Sequence, residues 1–183
     1  MKKNNSFMEK DSLIEKSLKL VNIKKFDDAL KILEQIKIDD YKTYFLKGTI
    51  YLAQNKLDLA EKNLALASKQ NNKNYLIFHN LGLIYQTKGD NNSAKENFLK
   101  AINISENIET LSELGKLYLN ENNFDEAEKY FKAVLKQDED HRRTNIRLGN
   151  LYLKKFDNKK GWSYIFKGTG LIRFAENKFE IIS

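Results

Sequence analysis

The side chains of this 183-residue chain that could do chemistry are few. There is no cysteine, which excludes disulfides, thiol nucleophiles, cysteine-ligated metals and a lipid-anchoring cysteine. The two histidines, His79 and His141, lie far apart, and neither has a second histidine or a carboxylate at a recurring metal-ligand spacing. They read as ordinary helix-surface residues, and neither a metal nor a cofactor is expected. Serines and carboxylates are plentiful, but no nucleophile elbow and no paired histidine accompany them, so a catalytic triad has no support and no enzyme is expected. Gly168-Thr169-Gly170 is a bare G-x-G after a helix-like stretch, where a phosphate-binding loop would follow a strand; it reads as a helix break. The chemistry that remains is recognition. Arg143 and Arg147 each offer a planar, two-pronged donor set suited to carboxylates. Asn80 can both donate to and accept from a ligand backbone.

The elements that would position these groups are set by a repeat. Gly48, Gly82, Gly115 and Gly149 recur at intervals of 34, 33 and 34 residues. Three residues after each comes a tyrosine: Tyr51, Tyr85, Tyr118 and Tyr152. Further on come a small residue (Ala60, Ala94, Ala127, Gly161) and then a bulky apolar one (Leu64, Phe98, Phe131, Ile165). Leu111, Leu114, Gly115 and Tyr118 share one helical face, and Ala127, Phe131 and Val134 share the face of a second helix. Each period is therefore a helix hairpin. The glycine and alanine are expected to be small because two helix backbones approach there. A lone hairpin of this size cannot bury its apolar face, so copies must stack. Asp58 with Glu61, and Asp125 with Glu128, have capping-box spacing at the start of the second helix.

This pattern resembles the tetratricopeptide repeat (TPR) family, most closely in Phe78-Leu81-Gly82-Tyr85-Ala94-Phe98 and Leu111-Leu114-Gly115-Tyr118-Ala127-Phe131. The second copy has Lys47 where the family has leucine, and the first has Ser17 at the glycine position. The fifth begins with Leu148-Gly149-Tyr152, and its second helix fits two registers, anchored by Gly161 or by Phe156-Asp157. The chain has no proline, so Asn, Asp and Lys turns must set its junctions. The resemblance implies an all-α, right-handed superhelical solenoid of four to five repeats with an irregular C-terminal cap. The expected repeats are about 10–40, 41–74, 75–107, 108–141 and 142–175, forming one domain over 1–175 with a tail over 176–183.

It also implies a non-enzymatic adaptor or scaffold that holds a partner protein or peptide in a concave groove lined by the first helix of each hairpin. Carried over residue by residue, the lining is Phe45, Leu46, Thr49 and Leu52, then Leu76, His79, Asn80 and Leu83. It continues with Glu109, Ser112, Glu113 and Lys116, then Arg143, Ile146, Arg147 and Asn150. The lining passes from apolar to cationic, which suits a partner with an apolar and an acidic segment. The competing reading covers Phe45, Leu46 and Leu76 with the first hairpin and pairs Arg143 and Arg147 with Glu109 and Glu113. Chaperone-binding members grip a C-terminal carboxylate with a Lys, Asn, Asn, Lys and Arg set. Here Arg143 and Arg147 fill the last two places, but His79, Leu83 and Glu113 occupy the others, so that use is not expected.

The last segment departs most from the repeat. Trp162, the only tryptophan, is followed by Leu171, Ile172, Phe174, Phe179 and Ile182. Two readings stand: a cap over the open edge of the last hairpin, or a tail that docks another subunit or a second copy. The net charge of +7 admits an acidic partner or nucleic acid. The basic residues are spread along the whole chain without a stripe or a nucleic-acid motif, so a lysine-rich solvated surface is the simpler account. No apolar run reaches the ~18 residues of a membrane span. Met1-Lys2-Lys3 is not followed by a signal-peptide core, and Ser6 with Glu9 reads as a helix start. No membrane partner and a cytoplasmic location are expected.

Overall fold

The computed structural model describes the backbone of residues 2–37, 40–170, 172–175 and 178–181, and the side chains of 9–37 and 40–170. The described residues form ten helices and one β-hairpin, arranged in two compact units, Met1–Ile104 and Ser105–Ser183. The first unit holds α1 (Lys2–Asn22), α2 (Phe26–Glu34), α3 (Tyr41–Ala53), α4 (Leu57–Gln70), α5 (Tyr75–Lys88) and α6 (Asn91–Ile104). The second holds α7 (Ile108–Asn120), α8 (Phe124–Gln137), α9 (Arg142–Lys154) and α10 (Asn158–Thr169). It ends with β1 (Ile172–Ala175) and β2 (Lys178–Ile181). Consecutive helices pair as hairpins, as the 34-residue period requires. α1 already runs from Lys2, so Ser6 lies inside it rather than at its start.

The cores lie between hairpins. In the first unit, Ala29, Leu30, Leu33 and Ile36 of the first copy cluster with Leu46 and Ile50 of α3. Ala60, Leu64 and Ala67 of α4 cluster with Ile77, Leu81 and Ile84 of α5. In the second unit, Ala127 and Phe131 of α8 cluster with Leu148, Leu151 and Tyr152 of α9. Each cluster thus joins the second helix of one copy to the first helix of the next, and burial of apolar area is what stacks them.

Within a hairpin the glycine sits under the bulky residue sixteen positions on. A Cβ added at Gly82 would stand 2.5 Å from the Phe98 ring, and one at Gly115 would stand 2.7 Å from Phe131. At Gly48 the obstacle is the side chain of Leu64. Close backbone approach, expected in every copy, is most pronounced in the last hairpin, where it accompanies side-chain contacts of Ile165 at 2.6 Å and Ile146 at 2.7 Å. There a Cβ on Gly149 would meet the Gly161 carbonyl oxygen at 2.7 Å, and one on Gly168 would meet the Arg142 carbonyl at 2.8 Å. This contact settles the register of α10 on Gly161. In the first copy, the buried Ser17 hydroxyl donates to the Ala29 carbonyl at 3.2 Å.

Without proline, Asn and Asp start several of the helices, while Lys25, Lys56 and His141 precede α2, α4 and α9 without a side-chain cap bond. Asp40, Asn74, Asp90, Asn107, Asn123 and Asp157 each accept from a backbone N–H two or three residues on. Between the two helices of every copy one residue adopts positive φ: Lys24 (59°), Asn55 (58°), Gly89 (81°), Asn122 (59°) and Phe156 (59°). Phe156 is the bulky exception in this set, and it is 91% exposed. An aromatic residue held left-handed without burial is strained. Where an irregular cap was expected, β1 and β2 pair antiparallel, with Phe174 opposite Phe179 and Arg173 opposite Glu180 along the backbone. Residues 171 and 182 lie outside the described residues.

Two stability outcomes follow. Gly82→Ala should lose about 1–3 kcal/mol by overpacking against Phe98, and Phe98→Leu in the same chain should recover part of that loss. Additive losses in urea unfolding of the double variant would refute the contact. Phe156→Asn should gain about 1 kcal/mol in the same assay, because asparagine tolerates the left-handed region.

Candidate functional site

In the first unit, the predicted lining residues divide between core and surface. Leu46 is only 6% exposed and belongs to the core with Leu30 and Leu33, so it is not an open-face residue. Phe45 is partly buried against the α4–α5 cluster, whereas Leu76 is 39% exposed and not covered. Asn80 donates from its side-chain nitrogen to the Thr49 hydroxyl at 3.2 Å, and that hydroxyl donates to the Phe45 carbonyl at 2.9 Å. The two polar residues therefore tie α5 to α3 on one side. Leu83 is partly buried. His79, also partly buried, tilts against the Phe98 ring at 5.8 Å between centroids.

In the second unit, Arg147 is anchored to the preceding copy. Its guanidinium donates to the Ser112 hydroxyl at 2.7 Å and to the Ser112 carbonyl at 3.3 Å, and lies 3.7 Å from a Glu113 carboxylate oxygen. Ser112 is itself buried, although it was expected on the open face. Glu113 also pairs with Lys116 at 2.8 Å. Arg147 is thus a bridge between α7 and α9 rather than a free surface cation. Arg143 and Asn150 are exposed on α9, and Arg143 makes no ion pair among the described residues. His141 bonds the Thr144 hydroxyl at 2.8 Å at the start of α9. Arg142 donates to the Gly168 carbonyl at 3.0 Å, which places Gly168 in helix packing. Gly170 ends α10 at a φ of 72°. Trp162 is 50% exposed and stacks on Phe166. Leu171 lies outside the described residues, and Ile172, Phe174 and Phe179 are described in backbone only.

The carboxylates expected to form capping boxes do something else. Lys88 donates to Asp58 at 2.6 Å and to Glu61 at 2.7 Å, and the Tyr85 hydroxyl donates to Glu61 at 2.8 Å. The same clamp recurs in the second unit. Lys155 reaches Asp125 at 3.0 Å and Glu128 at 3.3 Å, and the Tyr152 hydroxyl reaches Glu128 at 2.8 Å. Gln54 holds the Lys88 position one copy earlier and donates to Asp27 at 2.9 Å. These clamps bond successive hairpins across their turns. The signal was present in the sequence as Asp-x-x-Glu recurring before a Tyr-x-x-Lys one copy later.

The clamps perturb their own groups. The Lys88 hydrogen bond leads the causes that hold Glu61 below its ordinary value, and bonds to Asp58 and Glu61 push Lys88 up. Partial burial works to raise Glu128. Hydrogen bonds from Lys132, Tyr152 and Lys155 outweigh it and bring the carboxyl from 4.5 to about 2. Burial, then the Glu128 bond, pushes Tyr152 up. The perturbations have structural partners and do not mark a reacting group. Among the described residues no group of three or more His, Asp or Glu side chains could hold a metal ion, and no helix is long and apolar enough to cross a membrane.

Family models described as tetratricopeptide repeat match residues 41–74, 75–108 and 108–141. The chain belongs to the tetratricopeptide repeat family. It is 34% identical over 127 residues to TPR repeat-containing protein MJ1428 of Methanocaldococcus jannaschii, covering 67% of this chain and 22% of that protein. The chain spans less than a quarter of the length of the curated relatives it matches. Among solved structures, MamA matches with a TM-score of 0.77 at 16% identity, over 84% of this chain and 92% of MamA. YrrB, titled a TPR protein with an unusual peptide-binding site, matches with a TM-score of 0.72 at 21% identity, over 86% and 84% of the two chains. These likenesses establish the TPR-like all-α solenoid fold.

The depressed Glu128 makes a pH prediction. Its folded value lies below the unfolded one, so its contribution is complete above about pH 4.5 and is lost as pH falls toward 2. Glu128→Gln should therefore flatten the acid limb of a thermal-unfolding profile, removing about 1–2 kcal/mol of its pH dependence. Parallel acid limbs for the two proteins would show that the clamp carries no such linkage.

Proposed function

We propose that this chain is a non-enzymatic adaptor that holds a partner protein or peptide against the first helices of its hairpins, without a cofactor. The observation that carries this reading is the α7–α9 face. Arg143 and Asn150 are exposed on α9 and Lys116 is partly buried on α7, helices locked together by the Arg147–Ser112 bridge. A cation and an amide fixed on rigid helices can recognise an acidic segment with little loss of freedom on binding. The α3–α5 side of the first unit offers Phe45, Leu76 and Leu83 with Asn80 and Thr49, a surface for apolar side chains and one backbone contact. The peptide-binding site named for YrrB lends the reading support by likeness of fold. We place the protein in the cytoplasm, and protein partners fit it better than nucleic acid or membrane.

The obvious substitution, Arg147→Glu, is a poor test. It would set a carboxylate against Glu113 and strip the partner from buried Ser112. Arg143→Glu avoids this because Arg143 is exposed and makes no ion pair. Affinity capture from a lysate of the source organism, with mass spectrometry, should show a protein retained by wild type and reduced about tenfold by Arg143→Glu, a change worth about 1.4 kcal/mol. Equal retention by both, with equal unfolding temperatures, would remove the α7–α9 face from the function.

The half-exposed Trp162 supports a second reading, docking or self-association through the segment from Trp162 to Ile182. Sedimentation of the full chain beside a form ending near Gly168 separates the two. A monomeric mass for both removes self-association.

A further inference from the structure

The second unit carries a pocket that the adaptor reading does not use. It is an open cavity of about 950 Å³ bounded by α8, α9 and the start of α10. Glu128 and Lys132 come from α8, Tyr152 from α9 and Lys155 from just past its end, and Ser163 and Tyr164 from α10. Asp157, Lys159 and Lys160, at the turn and first residues of α10, complete it. No predicted lining residue of the α7–α9 face belongs to it.

Its chemistry is specific. Four ammonium groups face two carboxylates, so the lining is net positive. Both carboxylates are already engaged: Glu128 by Lys132, Lys155 and Tyr152, and Asp157 by Lys160 at 3.1 Å. Lys159 has no ion pair within 4.0 Å among the described residues. Lys132 and Lys160 are more than half exposed and can turn to an incoming anion. The partly exposed Tyr164 ring stacks at 5.5 Å on buried Tyr152, with planes 9° apart, and the Lys160 ammonium lies 5.3 Å from the Tyr152 ring centre.

Phe156 adds an independent observation. It lies between two lining residues, Lys155 and Asp157, at positive φ and almost fully exposed. The other four copies place Lys24, Asn55, Gly89 and Asn122 at this turn. A strained, exposed aromatic residue thus sits in the turn that carries two of the lining residues. Strain of this kind collects at binding sites.

We propose that this pocket is a second binding site, separate from the α7–α9 face, for a short acidic peptide segment bearing an aromatic side chain. Its carboxylates would meet Lys159 and the mobile ends of Lys132 and Lys160. Its ring would pack against Tyr164 and the exposed Phe156. Glu128 and Asp157 disfavour a polyphosphate strand, whose closely spaced charges would be forced against them.

The test is a titration of the full, 15N-labelled chain followed by NMR. The probes are a capped peptide of one phenylalanine flanked by two glutamates on each side, its lysine-flanked counterpart, and inorganic phosphate. Saturable shifts at Tyr152, Lys159 and Tyr164 with the acidic peptide are expected, weakened about tenfold by Lys159→Glu and by Ser163→Trp, which fills the cavity. Phe156→Asn should weaken the peptide at least threefold while unfolding at a higher temperature, a split that a purely structural role would not produce. Arg143→Glu should leave the affinity unchanged. Several outcomes would overturn the proposal: no saturable shift, equal affinity for the lysine-flanked peptide, phosphate binding as tightly as the peptide, or insensitivity to both pocket variants. Loss of the peptide in Arg143→Glu alone would move binding to the α7–α9 face, refuting this site while sparing the adaptor reading.

Discussion

The hairpins of this chain bury apolar surface against one another, and the rest of the structure depends on that constraint. Each apolar cluster is shared between the second helix of one copy and the first helix of the next. The hydrophobic driving force therefore acts between copies, and the residues that permit stacking are fixed by spacing rather than by any single core. Glycine beneath a bulky side chain closes the hairpin, and a tyrosine beyond it reaches the preceding copy. A left-handed residue turns the chain between the two helices. Once these three devices recur, the faces left over on the first helices are free to vary in chemistry.

Polar groups then reinforce what burial begins. The Tyr–Glu and Lys–Asp/Glu clamps add directional bonds at the turn edge, and they recur in both units. Exposed ion pairs on their own contribute little to stability. Here the shared carboxylate is partly buried, and a tyrosine and lysines all donate to it, so the arrangement is geometric as much as energetic. It also consumes charge that would otherwise count as surface basicity. Lys88 and Lys155, like Arg147, are structural cations, and a tally of positive residues overstates what is available to a partner.

The sequence made the hairpin pairing, the proline-free helix starts and the glycine–tyrosine–alanine frame legible, because each follows from periodicity and local hydrogen bonding. It misled where one pattern has two physical uses. Asp-x-x-Glu at a helix start is also the spacing of two carboxylates reaching a neighbouring copy. Leu46 is on an inner-facing helix but lies in the core, since periodicity gives a helix face and not what covers it. Arg147 had the right chemistry for a ligand, and only its distance to Ser112 shows that the next helix has taken it.

Sequence alone determined that the chain is a stack of helix hairpins without a cysteine or a proline. Those conclusions rest on residue type and on spacing along one chain. Tertiary structure decided which register α10 adopts, through the contact of Gly149 with Gly161. It decided that residues 172–175 pair antiparallel with 178–181, and which cations remain unspent. It also brought Lys132, Tyr152 and Lys159 around one cavity and left Phe156 strained in the turn before α10. Each of these depends on groups from different helices meeting in space, which no local pattern encodes.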